Sequence, residues 1–278
     1  MQKTAILAVS GGVDSMVMLD RARRGEFGEL EFLVAHFNHG IREDADEDEQ
    51  LVEGYCQKHR LKLERRKESL GQNVSEERAR KRRYEFLRKV ATKYDGEIWT
   101  AHHADDLIET IAINFIRGTG WRGLAVFVGD IKRPLLAMKK ADIYDYAKKN
   151  QLTWREDSTN ASSRYLRNRT RARLKELPDR KRQKLTKLWR QQVVIRCKID
   201  SILSKLVQQN IVYTRDFYEK LDAATAIEVL RALFETRHQP LTIPQAADLF
   251  HAIKTYKPHK KFNLPKNQFV VFSKTTFS

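Results

Sequence analysis

The first hundred residues alternate between short apolar runs and stretches with helical spacing. Continuous apolar runs at 4–9, 31–36 and 97–101 are typical of buried strands, and the alternating run at 61–65 predicts an exposed or edge strand. Between the runs, apolar residues recur at helical spacing, as in the stretch that begins near Asp14. This order predicts an α/β fold, a twisted parallel sheet with helices on both faces.

The pattern changes beyond residue 150, where helical spacing dominates. Helical patterns occupy 179–209, 222–237 and 243–256. The chain then closes on a pattern that predicts a hairpin around residues 265–267. We therefore expect an α/β domain over residues 1–184 and a mainly helical second domain over residues 185–278.

Charge adds a class of partner to this picture. The 278 residues include 53 Lys and Arg against 36 Asp and Glu, a formal net charge of +17. Such an excess predicts a polyanionic partner, with nucleic acid ahead of an anionic membrane surface. Basic residues concentrate at 78–83 and 164–190, and both segments are candidates for contact with nucleic acid.

Other bulk features favour a cytoplasmic protein. No run approaches the roughly 20 apolar residues of a membrane span, and the first residues lack the regions of a signal peptide. We therefore expect no membrane partner. The two cysteines, Cys56 and Cys197, form neither a metal-ligand pair nor a disulfide framework, so both are expected to be reduced.

The first candidate site follows the first strand directly. It consists of Ser10, Gly11, Gly12, Val13, Asp14 and Ser15. Adjacent glycines let the backbone approach a ligand, and the N-terminus of the next helix favours an anion. The serines add hydroxyl donors, and Asp14 is placed to hold a pyrophosphate-bound Mg²⁺. The loop lacks the Gly-Lys-Ser/Thr ending of a Walker loop and the GxGxxG spacing of a dinucleotide-binding loop. Two interpretations remain, a different kind of phosphate-binding loop and an ordinary glycine-rich turn.

A second candidate site occupies a predicted strand-to-helix junction at residues 101–110. Asp106 and Glu109 are three residues apart and share a helix face, with His102 or His103 one turn earlier. Two carboxylates and an imidazole suit Mg²⁺ coordination, orientation of an amine, or proton transfer. The structural alternative is that Asp105 caps the helix and the other side chains are solvated. Zinc is disfavoured because the histidine spacing is wrong and soft ligands are absent.

Two weaker signals accompany these sites. The segment from Arg117 to Leu124 combines a glycine helix cap with a turn rich in backbone donors. Five acidic residues also cluster before a predicted helix: Glu43, Asp44, Asp46, Glu47 and Asp48. They either complement the helix N-terminus or attract a cationic substrate.

Several motifs occur together in an order that resembles one family. They are SGGVDS (10–15), HFNHGIR (36–42), ARKRRY (79–84), TAHHADDLIET (100–110), RGTGWRGL (117–124), RPLL (133–136), EDSTN (156–160) and RNRTR (167–171). The chain is similar to the tRNA(Ile)-lysidine synthetases of the PP-loop ATP pyrophosphatase superfamily. The match is dense over residues 4–178 and looser beyond. The chain stops before a further C-terminal domain of many members, so it resembles a short form or a truncated chain.

The resemblance implies a reaction and its substrates. Such an enzyme uses ATP to adenylate the C2 oxygen of the wobble cytidine in a tRNA(Ile) with a CAU anticodon, releasing pyrophosphate. The ε-amino group of L-lysine then displaces AMP, and Mg²⁺ assists. The resemblance also implies tRNA binding by the C-terminal domain and the association of two copies as a homodimer.

Residue roles carry over from the matched motifs. The catalytic set is Asp14, His103, Asp106, Glu109 and Arg171. The ATP-binding set is Ser10, Gly11, Gly12, Val13, Asp14, Ser15, Arg80, His102 and Arg117. The tRNA-binding set is Arg83, Arg164, Arg167, Arg171, Arg180 and Lys184, and Mg²⁺ is assigned to Asp14 and Asp106.

Two other functions remain open at this stage. A sulfur-inserting PP-loop enzyme acting on tRNA would share the first motif and the basic surface, but it generally needs paired cysteines. A tRNA-binding module without catalysis would share the charge, but it has no use for carboxylates opposite RNA.

Overall fold

The runs predicted as strands form one parallel sheet in the computed structural model. The structure describes residues 4–40, 45–69, 71, 74–156, 166–174, 177–265 and 268–278. The chain divides into two compact units, Met1–Val193 and Val194–Ser278. The predicted domain boundary between residues 184 and 185 falls within one long helix and stays a prediction.

The four strands are β1 (Thr4–Ala8), β2 (Phe32–Asn38), β3 (Leu63–Lys67) and β4 (Gly96–Trp99). They lie in the order β3-β2-β1-β4 and all neighbours are parallel. The predicted α/β fold is confirmed, and β3 is an edge strand as its alternating pattern indicates. The predicted ends agree with the observed ones to within two residues. Since all the strands run in one direction, their carboxyl ends meet at one edge.

The first unit surrounds this sheet with helices. They are α1 (Val13–Arg23), α2 (Ala45–Lys58), α3 (Glu76–Lys93), α4 (Ala104–Ile116), α5 (Lys140–Lys149), α6 (Leu166–Leu174) and α7 (Asp179–Leu206), whose C-terminal part enters the second unit. Ala5 and Leu7 of β1 pack with α1, α2 and α5, whereas Ile6 packs with α3 on the opposite face. This alternation follows from the two-residue period of a strand, so β1 is buried on both faces.

The second unit has its own hydrophobic core. It contains α8 (Arg215–Glu219), α9 (Ala223–Thr236), α10 (Ile243–Thr255) and the antiparallel strands β5 (Lys261–Leu264) and β6 (Gln268–Val271). The core is built around side chains such as Tyr218, Phe234 and Phe272. The predicted helical region and closing hairpin are confirmed. No helix within the described ranges is both long and apolar enough to cross a membrane.

Candidate functional site

The glycine loop connects the end of β1 to the start of α1. Gly11 has a φ of +88°, a conformation that favours glycine, and Gly12 is the N-cap of α1. The buried hydroxyl of Ser15 donates to the Gly12 carbonyl oxygen at 2.8 Å and accepts from the Ser10 amide at 3.1 Å. Ser15 therefore ties the loop to itself, and Ser10 is the exposed serine.

Arg155 secures this loop from outside. Its backbone amide donates to the Gly11 carbonyl oxygen at 3.1 Å. Its guanidinium pairs with Glu47 and, at 3.1 Å, with Asp48 in the first turn of α2. A Cβ on Gly11 would lie 3.3 Å from the Asp48 carbonyl oxygen, so α2 approaches the loop closely.

These contacts bear on the acidic segment of the sequence. Asp46 pairs with Lys67 at 2.7 Å, while Glu47 and Asp48 pair with Arg155. Three of the acidic side chains are thus engaged by cations of the protein, which favours the structural interpretation over attraction of a cationic substrate. Residues 43 and 44 lie outside the described residues.

His103 brings the two predicted sites together. It is the N-cap of α4 and is only 5% exposed. Its Nε2 atom lies 3.7 Å from Oδ1 of Asp14 and 3.3 Å from Oδ2 of Asp106. The same Asp106 oxygen accepts the backbone amide of His103 at 3.1 Å, which fixes that carboxylate within the first turn of α4. Carboxylates from α1 and α4 therefore converge on one imidazole.

A cation that the sequence did not single out completes this cluster. The ammonium of Lys140 lies 2.7 Å from Oδ1 of Asp14. The backbone amide of Lys140 donates to Oδ2 of Asp105 at 2.8 Å, and Asp105 also pairs with Arg182 of α7. The side chain of Asp105 therefore connects the start of α4 to the start of α5 and to α7, instead of capping its own helix. No local motif marks Lys140 or Arg182.

Glu109 lies deeper in α4 and is 2% exposed. Its Oε2 atom accepts a hydrogen bond from Nε of Arg171 at 3.0 Å. The other end of the same guanidinium lies 3.9 Å from Oδ1 of Asp106. Helix α6 thus delivers Arg171 to the two carboxylates that the sequence placed on one face of α4.

His102 faces a different environment from His103. Its Nδ1 atom lies 2.8 Å from the Thr100 hydroxyl, and its ring packs against Phe127 with centroids 5.1 Å apart. Burial, reinforced by nearby arginines such as Arg133, lowers the pKa of His102 to about 4. His102 is therefore neutral at neutral pH.

Three arginines, Arg133, Arg80 and Arg83, act electrostatically on His102. Arg133 donates to the carbonyl oxygens of Phe127 and Ile131 and lies over the Phe127 ring, 4.5 Å from its centroid. Arg80 and Arg83 lie at 5.0 and 5.5 Å from the centroid of the Tyr84 ring. Sequence reasoning found Arg80 and Arg83 through their motif but gave Arg133 no role.

Other predicted residues lie elsewhere. Arg117 is exposed at the C-terminal end of α4, about 16 Å along the helix axis from Asp106. Arg180 and Lys184 are exposed on α7, and Arg167 belongs to α6. Arg164 lies outside the described residues. The binding roles of these four arginines and Lys184 stay predictions.

The carboxylates fit magnesium better than a metal held by protein alone. Within the described ranges, no group of three or more His, Cys, Asp or Glu side chains is arranged to hold a metal ion. Magnesium usually takes one or two carboxylates together with substrate phosphates and water. Asp14 and Asp106 meet that requirement because both lie within 4 Å of one imidazole nitrogen beside the glycine loop. Mg²⁺ itself stays a prediction.

The parallel sheet and the glycine turn after β1 define the class of protein. A family model described as PP-loop domain matches residues 1–177, and the chain belongs to that family. Similar proteins narrow this class. The tRNA(Ile)-lysidine synthase of Exiguobacterium sibiricum is 38% identical over 176 residues, covering 61% of this chain and 42% of that protein.

A second relative extends the similarity beyond the PP-loop domain. The tRNA(Ile)-lysidine synthase of Thermotoga maritima is 30% identical over 268 residues, or 90% of this chain and 64% of that protein. The predicted membership of the tRNA(Ile)-lysidine synthetase family is confirmed by these relatives. The chain nevertheless spans less than two thirds of the length of either relative.

A solved structure supports the fold alone. The U34-tRNA thiolase NcsA from Methanococcus maripaludis superposes with a TM-score of 0.59 at 15% identity, covering 70% of this chain and 72% of that one.

Proposed function

We propose that this chain carries an ATP-dependent ligase that joins L-lysine to C2 of the wobble cytidine in a tRNA(Ile) with a CAU anticodon. Its relatives named tRNA(Ile)-lysidine synthase support this reaction. The observation that carries the proposal is the convergence of Asp14 and Asp106 on His103, beside a glycine loop at the carboxyl edge of the sheet.

The loop after β1 is the proposed site for the phosphates of ATP. The first amides of α1 have no partner within the helix, and the helix dipole favours an anion there. Gly11 provides the positive φ that turns the chain, and Arg155 and Ser15 hold the loop in that shape. The loop is thus formed in advance, which reduces the ordering cost of binding.

Asp14 and Asp106 are the proposed magnesium ligands. When bound, the metal would neutralise charge on the phosphates during transfer. The remaining contributions come from the protein's own side chains.

In the first step, the C2 oxygen of cytidine attacks the α-phosphorus of ATP. The bond from that phosphorus to the bridging oxygen breaks, and its electron pair leaves with pyrophosphate. Arg171 is held between Glu109 and Asp106, where its guanidinium can offset negative charge near the α-phosphate. Glu109 has a positioning role in this scheme because it aims Arg171.

In the second step, the lysine ε-nitrogen attacks C2 and AMP leaves with the C2 oxygen. An ammonium cannot attack, so it must first lose a proton. Asp106 is suited to orient the ammonium, and the imidazole of His103 is suited to accept the proton. The carboxylates beside His103 would stabilise the imidazolium that forms.

The tRNA is the proposed polyanionic partner. The target cytidine must leave the stacked anticodon loop to reach the carboxyl edge of the sheet. Exposed basic side chains on α3 and α7, among them Arg80, Arg180 and Lys184, are candidates for contact with the RNA backbone. Homodimer formation stays a prediction.

Sulfur insertion is the less favoured reaction. A persulfide relay needs a reactive thiolate. Cys56 is buried, and burial raises the pKa of its thiol to about 11. Cys197 is exposed on α7, and it is too far from Cys56 in sequence to form a CxxC pair with it.

Incorporation of labelled lysine tests the proposal. The protein is incubated with ATP, Mg²⁺ and isoleucine tRNA bearing a CAU anticodon, and the CAU methionine tRNA is the control. We expect stable label in the isoleucine tRNA alone. Release of pyrophosphate without incorporation of label would support the adenylation step and overturn lysine as the nucleophile. The absence of both products would overturn the proposed enzymatic function.

An Asp14→Asn variant tests the assigned roles. We expect it to abolish pyrophosphate release and to retain tRNA affinity. Asp216→Asn is the matched control, because it removes an exposed carboxylate of α8 that pairs with Lys220. Loss of tRNA binding together with ATP turnover in Asp14→Asn would contradict the role given to Asp14.

A further inference from the structure

Lys140 carries a positive charge to the glycine loop from a distant part of the sequence. Its ammonium contacts Asp14, 126 residues earlier, at 2.7 Å. Its backbone amide is fixed by Asp105, and its ammonium also lies 5.1 Å from the centroid of the Tyr144 ring. The side chain is still 34% exposed, so a ligand at the loop can reach it.

The position of this charge has a chemical consequence. Asp14 is the second residue of α1, beside the amides that favour an anion. A polyphosphate bound there would meet the negative charge of the Asp14 carboxylate. In a Walker loop, a lysine within the loop itself reaches the outer phosphates, and this loop has no lysine. Lys140 instead brings a compact, flexible cation to this loop from the start of α5.

We propose that Lys140 binds the pyrophosphate portion of ATP and remains with the pyrophosphate when it leaves. As the nucleotide enters, the ammonium exchanges the Asp14 carboxylate for phosphate oxygens, and Asp14 becomes available to Mg²⁺. The ammonium donates hydrogen bonds and transfers no proton. The electron pair of the broken bond stays on the departing oxygen, whose charge Lys140 offsets. This inference rests on the proposed function for the identity of the nucleotide reaction.

The neighbouring lysine provides a matched control. Lys139 precedes Lys140 at the start of α5, and its ammonium pairs with the exposed Asp179 at 2.9 Å. Removal of either lysine changes the net charge equally at the same helix terminus. The two substitutions differ in which carboxylate loses its partner, so a contrast between them reports on the glycine loop.

The experiment measures the binding of inorganic pyrophosphate with Mg²⁺, and separately of AMP, by titration calorimetry. We expect Lys140→Met to weaken pyrophosphate binding about tenfold or more, the loss typical of one hydrogen bond between charged groups. AMP binding should not change. Lys139→Met should resemble the wild type, and Lys140→Arg should recover most of the affinity because it keeps the charge.

Three results would overturn the inference. They are unchanged pyrophosphate affinity in Lys140→Met, an equal loss of AMP and pyrophosphate affinity, and an equal effect of Lys139→Met. The second would mean that Lys140 acts by maintaining the fold of the loop. Lysine incorporation is not part of this experiment. If the wild type fails to modify tRNA yet shows the expected contrast, the proposed function fails and the role of Lys140 stands.

Discussion

Replacing Arg171 with methionine tests whether α6 holds the buried carboxylate of Glu109 in place. The Nε and Oε2 atoms are 3.0 Å apart, and two unit charges at that distance attract by about 5 kcal/mol at an effective dielectric constant of about 20. Arg171 is 42% exposed, so solvent screens much of this attraction. We expect Arg171→Met to lower the free energy of unfolding by about 1–3 kcal/mol, since it leaves a carboxylate buried without this partner.

Substitution of the other member of the pair, Glu109, should lower the free energy of unfolding by less. Glu109→Gln leaves the charge on Arg171, whose half-exposed guanidinium can be hydrated, so we expect a loss of about 1 kcal/mol. In the double variant, the two losses should not add, and the coupling energy should be about 1–2 kcal/mol. Arg173→Met removes an exposed arginine from the same helix and is the matched control, with an expected change within about 0.5 kcal/mol.

Tryptophan fluorescence during urea unfolding is the appropriate measurement. The four tryptophans of the chain, Trp99, Trp121, Trp154 and Trp189, all fall within the first unit, so their signal reports on the unit that contains the ion pair. Equal effects of Arg171→Met and Arg173→Met, or strictly additive losses in the double variant, would refute a stabilising pair between Glu109 and Arg171.

Four further substitutions test the glycine loop and the imidazole of His102. Gly11→Ala should lower the free energy of unfolding by about 1–2 kcal/mol, because Gly11 has a positive φ. Gly12 has a φ of −72°, so Gly12→Ala should keep the stability of the wild type. Calorimetry should show that the Gly12→Ala variant binds ATP more weakly. Arg155→Met should weaken ATP binding, because it removes the guanidinium that connects the loop to α2. An ATP affinity equal to that of the wild type would contradict this role of Arg155. His102 stays neutral when folded, so the unfolded chain takes up a proton first as pH falls below about 6.5. The contribution of His102 to stability should therefore drop by up to about 1.4 kcal/mol per pH unit towards pH 5. A His102→Asn variant with the wild-type slope in urea titrations would refute this.

The hydrophobic pattern was sufficient to predict the sheet because its central strand is buried on both faces. Ala5, Ile6 and Leu7 form a continuous apolar run, and such a run between turn residues is typical of a parallel strand. The spacing of Asp106 and Glu109 was also sufficient to place both on one face of α4, because that relation is set within a single helix. Both predictions depend on local geometry alone.

Local geometry could not predict hydrogen-bond direction or distant partners. The position of Ser15 in the loop suggested a donor to phosphate, but its hydroxyl already donates to the Gly12 carbonyl oxygen. The acidic residues at the start of α2 left open the attraction of a cationic substrate, but Arg155, distant in sequence, pairs with Glu47 and Asp48. Each of these outcomes depends on a contact that no short window of sequence contains.

The same limit explains why the motifs revealed the acids of the site but only one of their cationic partners, Arg171. Helices α5, α6 and α7 each bring one cation to a carboxylate near the carboxyl edge of the sheet. The pairs are Asp14–Lys140, Asp105–Arg182 and Glu109–Arg171. The carboxylates stand in compact motifs on α1 and α4, whereas Lys140 and Arg182 are single basic residues among many in a strongly basic chain. The acidic edge is therefore neutralised only when α5, α6 and α7 have packed. Each ion pair that faces the loop is also a position where Mg²⁺ or the ammonium of a substrate must compete with the protein's own side chain.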